Sequence, residues 1–271
     1  MKTRPNPIAL PRIDELGREL IRTSRAQLIL TLSAPWLAAL AYALSASASS
    51  WVGGFVSVVV LSFVTYGSTS HDLVHRCLGL PKAINDLLLT LTELLTFRSG
   101  TAYRLAHLHH HRRYPHADDI EASVAGTSVV EALLQGPSHQ LRLWRWAWKT
   151  HARHRNRLLV EAALVLLGLA AAVISAFHGR WWLPAYAALA IAGSWVFPVF
   201  TVFIPHDPTG SSPLTQTRLF RGWVFDVLAA GHRYHLEHHL YPMVPHHHWR
   251  ALARKLDPVF ERAGLEAHRV G

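Results

Sequence analysis

Residues 26–70, AQLILTLSAPWLAALAYALSASASSWVGGFVSVVVLSFVTYGSTS, run for 45 positions without a charged side chain. A hydrocarbon core about 30 Å thick takes about 20 helical residues, so this stretch is too long for one membrane crossing and right for two. Its small, polar run SASASS, Ser45 to Ser50, is the break between them and predicts helices over 27–44 and 51–68. The pattern recurs downstream. Residues 158–177 are apolar apart from Glu161, residues 181–204 are apolar, and His178, Gly179 and Arg180 form the turn that joins them. Trp181 and Trp182 sit where aromatic side chains gather at a bilayer surface.

Two short turns on one side leave the N-terminal arm (1–25), the middle segment (71–156) and the C-terminal segment (206–271) together on the other. Of the 27 Lys and Arg residues, 25 fall in those three segments, Arg157 directly adjoins the middle one, and only Arg180 lies in a turn. That is the positive-inside pattern, so the shared side is expected to be cytoplasmic. The arm carries Arg4, Arg12, Arg18, Arg22 and Arg25 with no early apolar core, which argues against a cleavable signal and suggests a segment lying along the membrane surface. Residues 83–97 are apolar at helical spacing but short, and Asp86 and Glu93 interrupt them, so they read as a helix in the interface. The expected fold is all-α: a single domain over residues 1–271, built as an integral membrane bundle of four transmembrane helices (26–70 and 157–205) under a cytoplasmic helical cap. Hydrophobic residues make up 50% of the chain, yet its formal charge is +10, which fits a membrane protein with a basic inner face. The one cysteine, Cys77, excludes an internal disulfide or a CxxC metal knuckle. Trp144, Trp146 and Trp148 alternate with basic residues in the manner of an interfacial anchor, and no nucleic-acid partner is expected.

Twenty histidines are the main anomaly. Three groups have internal spacing: His71 and His75 in HDLVH, His107, His110 and His111 in HLHHH, and His235, His238 and His239 in HLEHH. Positions i, i+3 and i+4 share one face of a helix, so each group can present its imidazoles together. His206, in IPHDP, lies just beyond the last span. Eight or nine imidazoles exceed the three or four that satisfy one zinc, which implies two metal ions. A histidine shell without thiolate suits iron, zinc, copper or nickel. A histidine-rich metal transporter is the alternative class, but it needs polar residues along its spans, and these spans are nearly free of them.

Metal-bound imidazoles commonly donate their second ring N–H to a carboxylate. Asp72, Asp118, Asp119, Asp207 and Glu237 are placed to accept it, and Asp72 and Glu237, inside the boxes, are the preferred pair, with His232 as a further supporting residue. His109 lies off its stripe. His246, His247 and His248 read as exposed or interfacial, and His139, His151, His154 and His268 as members of basic surface stretches.

HDLVH, HLHHH and HLEHHLYP, arranged around two pairs of spans, resemble the three-part histidine signature of the membrane fatty acid desaturase superfamily, which includes carotenoid ring ketolases and hydroxylases. The similarity runs from about Trp51 to Trp249. The resemblance implies two non-haem iron ions held by His71, His75, His107, His110, His111, His235, His238 and His239, with His206 matching an additional ligand that relatives place ahead of the last box. It also implies an oxidoreductase using O2 as co-substrate on a long apolar lipid chain, acyl-lipid desaturation ahead of hydroxylation or ketolation of a β-carotene ring. HDLVH is one residue shorter than the first box typical of linear-chain acyl-CoA desaturases. Electrons are expected from a separate donor, a ferredoxin or a cytochrome with its reductase. The basic surface formed by Arg142, Arg145, Lys149, Arg153 and Arg155 suits anionic lipid headgroups, or else an acidic redox partner.

Overall fold

The structure, a computed structural model, describes residues 9–222 and 232–269, with only the backbone of His232. Four helical columns are long and apolar enough to cross a membrane: Arg18–Ser47, Trp51–His75, Ala152–Phe177 and Trp182–Phe203. The first consists mainly of α1 (Arg25–Ser47), capped by Ser24, whose Oγ accepts the Gln27 N–H. Helix α2 (Trp51–Val64) returns beside it, α7 (Arg155–Phe177) and α8 (Trp182–Trp195) form the second pair, and α8 packs against α2. At the outer turns, Trp51 stacks on Trp182 at 3.9 Å and Tyr42 lies 4.9 Å from Tyr186, which locks the two hairpins together. Leu30, Val52, Leu166, Leu167 and Phe177 are exposed, and in a bilayer that outward face meets lipid instead of water.

The second column overruns its expected end at residue 68. Thr65–Thr69 forms a π turn, with hydroxyls satisfying local carbonyls (Thr65 Oγ1 to Leu61 O, 2.7 Å; Ser68 Oγ to Val64 O, 2.7 Å), and the helix then continues as α3 (Ser70–His75). Box one therefore stands on the same column as the span. A second π turn, Pro198–Phe203, follows α8 and ends just before His206. Each adds a residue to one turn and so re-aims what comes next. No apolar periodicity announces such a turn.

Between the hairpins, α4 (Lys82–Leu94) is a 13-residue helix outside the four membrane-length columns, as its short apolar run suggested. Helix α5 (Gly100–Arg113) carries box two, and α6 (Val129–Thr150) packs against α5 and α8. Glu161, the one carboxylate inside α7, is buried and accepts from Thr90 Oγ1 (2.6 Å), Thr101 Oγ1 (2.8 Å) and Thr101 N–H (3.1 Å). A lone charge in a span is costly, but this one ties α4, α5 and α7 together at the base of box two. Helix α6 was not legible as an element, because Pro137 and a run of alternating Arg and Trp obscure its 22 residues.

Box three lies on α9 (His235–Leu240), followed by α10 (Trp249–Arg262). Trp249, Leu252, Leu256 and Phe260 form a core with Leu236 and with Leu16 and Leu20 of the N-terminal arm. The arm thus packs on the cap, where Tyr241 donates to Pro11 O at 2.5 Å. A two-residue parallel pair, Phe220–Arg221 with His268–Arg269, closes the C-terminal end.

The α6–α8 contact depends on Gly136. A Cβ there would lie 2.8 Å from the Trp195 carbonyl carbon and 2.9 Å from its Cα, so the backbones would have to separate. Gly136→Ala is expected to lower stability by about 1–3 kcal/mol, seen as a lower melting temperature in detergent. Gly126→Ala, whose Cβ would meet only Pro208 at 3.6 Å, should leave the melting temperature unchanged.

Candidate metal centre

Three helices and one post-span turn bring the histidines to a single place. His71 and His75 on α3, His107 on α5 and His238 on α9 form one group of donor atoms, all within 4.8 Å of one another. His110 on α5, His206 after the second π turn, and His235 and His239 on α9 form another. His111 lies between them: its Nε2 is 3.2 Å from His107 Nε2 and 2.9 Å from His238 Nε2, and its ring stacks on His239 at 4.3 Å. Boxes two and three each serve both groups, because i, i+3 and i+4 span a stripe wide enough to straddle two neighbouring sites.

The second ring nitrogens show which atoms point inward. His107 Nδ1–H donates to Glu121 (3.0 and 3.2 Å), His110 Nδ1–H to Asp119 Oδ2 (2.7 Å) and His206 Nδ1–H to Val202 O (3.0 Å). An oxygen acceptor at Nδ1 assigns the proton there and leaves a bare lone pair on Nε2 of the neutral ring. His206 Nε2 then faces His110 Nε2 at 2.9 Å, His239 Nε2 at 3.2 Å and His235 Nε2 at 3.3 Å. Facing lone pairs repel, and one proton can bridge only one such pair. An ion about 2.1 Å from each nitrogen would set adjacent nitrogens about 3.0 Å apart in an octahedron and about 3.4 Å apart in a tetrahedron. The observed separations fall in that range, and His75 Nε2 is buried with no hydrogen-bond partner among the described residues. The donor set fits two metal ions.

Electrostatics agree. Burial, reinforced by neighbouring histidines, holds His111, His206, His238 and His239 well below the usual 6.5, so their rings stay neutral and able to coordinate. His110 goes the other way: burial opposes protonation, but the Asp119 hydrogen bond and the Glu121 charge outweigh it and raise the ring's basicity. Burial likewise opposes ionisation of Glu121, yet His107 and His110 draw it down to about 2. Such carboxylates fix ring orientation and strengthen the imidazole as a donor.

The contacts seen for the two preferred box carboxylates among the described residues are not to box histidines. Asp72 accepts from His246 instead, through its backbone N–H at 3.0 Å and Nδ1 at 2.6 Å. Pro245 and the 3-10 turn His246–His248 bend the chain back over α3, so His246 is half-buried against Asp72 and not exposed. Glu237 leaves the histidine stripe of its helix and pairs with Arg221 at 2.7 Å, while burial, opposed by that arginine, pushes it up to about 7. The side chain of His232 lies outside the described residues. The supporting carboxylates are Asp119, one of the five placed near the boxes, and Glu121, which stands outside every box. The signal was the acidic run Asp118, Asp119 and Glu121 just past box two in a strongly basic chain. Asp118 instead pairs with Arg113 at 3.0 Å, and Asp207 accepts from Thr209. His109 faces Trp146, away from the centre as its position indicated. His139 is no surface residue: it is fully buried on α6, with neither ring nitrogen partnered among the described residues.

A family model described as fatty acid desaturase matches residues 47–271. No curated protein matches the chain.

Two outcomes follow from the geometry. Glu121→Gln and Asp119→Asn, which remove a charge from behind a donor ring, are each expected to weaken metal retention about 10–100-fold, measured as metal per chain by plasma mass spectrometry with helicity unchanged. Burial lowers His139 from 6.5 to about 4, so its proton is held more tightly in the unfolded chain. Its contribution is full above pH 6.5 and is lost as pH falls towards about 4, worth about 3 kcal/mol across that window. His139→Leu should flatten the loss of melting temperature between those pH values, and a variant as acid-sensitive as the parent would contradict this.

Proposed function

Since the chain belongs to the fatty acid desaturase family, we propose that it is an integral membrane di-iron oxygenase that uses O2 to oxidise a long apolar lipid chain, with acyl-lipid desaturation its reaction. The observation that carries this reading is the pair of four-imidazole groups joined by His111, with lone pairs turned inward at the end of a bundle of apolar helices. The whole of residues 1–271 acts as one domain. The nine ligands are His71, His75, His107, His110, His111, His206, His235, His238 and His239.

Bound there, two ferrous ions supply the reduction of O2 and the removal of hydrogen from an unactivated C–H bond, chemistry that side chains alone do not provide. The chain's own residues do the rest. Glu121 and Asp119 hold His107 and His110 in one tautomer and orientation. Trp249, 5.2 Å from the His71 and His238 rings, Tyr103, 5.5 Å from His107, and Tyr114, 4.6 Å from His206, lie against the histidines, and this aromatic wall keeps water from the reacting atoms. Between α2 and α8 runs an apolar groove of about 210 Å³, lined by Phe55, Val59, Phe63, Leu189 and Val196, of the kind an alkyl chain can enter sideways from the bilayer. Its inner end is Phe197, which stacks on Tyr66 at 4.2 Å, as Tyr66 does on Tyr103 at 4.8 Å, and Tyr103 lies 5.5 Å from the His107 ring.

The inner face is assigned to the cytoplasm on the charge asymmetry, 26 of 27 Lys and Arg residues once Arg157 is counted with it. Electrons come from a separate ferredoxin or cytochrome. A second reading, hydroxylation or ketolation of a β-carotene ring, is favoured by the compact outer turns at 48–50 and 178–181.

Expression in a desaturase-deficient host and in a β-carotene-producing host, with products read by mass spectrometry, tests both. The expected result is a new double bond in membrane acyl chains, unchanged carotenoids, and about two irons per chain. Oxygenated carotenoid with unchanged acyl chains would transfer the assignment to the second reading. Zinc movement without oxygen consumption would refute both. Replacing His110 and His238 together by Ala should abolish turnover.

A further inference from the structure

The helix that carries box two has a second functional face. While His107, His110 and His111 point to the histidine centre, Thr101, Arg104, Leu105, Leu108 and Arg112, spaced three or four apart, line a separate cavity of about 420 Å³ on the other side of α5. Its remaining walls come from the end of α3, from α4 and from the start of the Ala152–Phe177 column.

The charge of this cavity is lopsided. Arg76, Lys82, Arg104, Arg112, Arg153 and Arg157 line it against one carboxylate, Asp86, a formal excess of five positive charges. Asp86 is already shared: Arg76 holds it with two N–H groups at 2.7 and 2.8 Å, while Arg104 and Arg157 stand 3.5 and 3.6 Å away. Glu161, behind the wall and 3.5 Å from Arg157, is engaged by Thr90 and Thr101. Half-burial, together with the charges of Arg76 and Arg157, outweighs the pull of Asp86 and pushes the Arg104 guanidinium down to about 10. Among the described residues no ion pair accounts for Lys82 or Arg112, both exposed at the rim.

Position and shape identify the missing anion. The cavity lies where α4 begins and where a membrane-length column starts, the depth of lipid headgroups in a bilayer. Leu89, Leu105 and Leu108 give it an apolar floor beside the guanidinium groups. Arginine forks match phosphate oxygens, and the apolar floor suits the glycerol and the first methylenes of an ester-linked chain. We propose that this cavity binds the phosphate of an anionic glycerophospholipid, held by Arg76, Arg104, Arg112, Arg157 and Lys82 behind the box-two helix. The bound lipid clamps α4, α5 and the start of α7 to one another. The site does not depend on which substrate the histidine centre oxidises.

The full-length protein, purified in a neutral detergent, is titrated with short-chain phosphatidylglycerol, with short-chain phosphatidylcholine and with inorganic phosphate. Melting temperature and lipid retention by native mass spectrometry are the readouts. The expected result is a saturable rise in melting temperature with phosphatidylglycerol, one lipid retained per chain, and a much smaller effect of the other two. The double variant Lys82→Gln/Arg112→Gln should bind the lipid about tenfold more weakly with its lipid-free melting temperature unchanged, since both side chains are exposed. The charge-matched variant Arg250→Gln/Arg254→Gln on α10, exposed and outside the cavity lining, should bind as the parent does. Equal weakening in both double variants, or undiminished binding in the first, would overturn the site. A rise with inorganic phosphate as large as that with phosphatidylglycerol would overturn the lipid and assign the cavity to a soluble phosphate ester.

Discussion

Imidazole nitrogens that face one another across about 3 Å, with their protons held on the far side of each ring, repel unless positive charge lies between them. The rest of the protein is arranged to hold His107, His110 and His206 in that position. The carbonyl of Val202 and the carboxylates of Asp119 and Glu121 keep the protons outside. Burial of the histidines themselves, against the rings of Trp249 and Tyr103, keeps out the water that would otherwise relieve the repulsion. A centre of this kind is destabilising when empty and would become a source of stability if filled by metal, so that metal binding and folding would be coupled.

The scaffold serves the same end. Two π turns stand directly before His71 and before His206, and each rotates the residues after it relative to the helix that delivers them. Glu161 anchors the start of α5 from within a span, so box two is fixed to the bundle and not merely to its own loop. The Asp72 to His246 contact does the corresponding work for the cap, joining box one to the turn after box three.

The spans and the boxes were legible because they depend on local periodicity. A charge-free run of 45 residues and histidines at i, i+3 and i+4 can be read without knowing what they touch. The supporting groups could not be read in that way. Glu121 lies 14 positions after His107 and reaches it only because the loop after α5 folds back, a tertiary fact with no spacing rule. Asp72 and Glu237 looked right by adjacency, but a neighbour in sequence on a helix points about 100° away, and both turned to partners far along the chain. His139 read as surface because it sits among arginines on a helix whose Gly136 and Pro137 disguised its pattern, and packing against α5 and α8 buried it.

Because α9 contributes to both histidine groups, neither group closes until the third box is in place. Synthesis proceeds from the N-terminus, so all four apolar columns are complete before residue 239 leaves the ribosome. Any loading of metal at these groups would thereby be deferred to the end of assembly. A nascent chain holds no finished half-site that could meet oxygen while its walls are still missing.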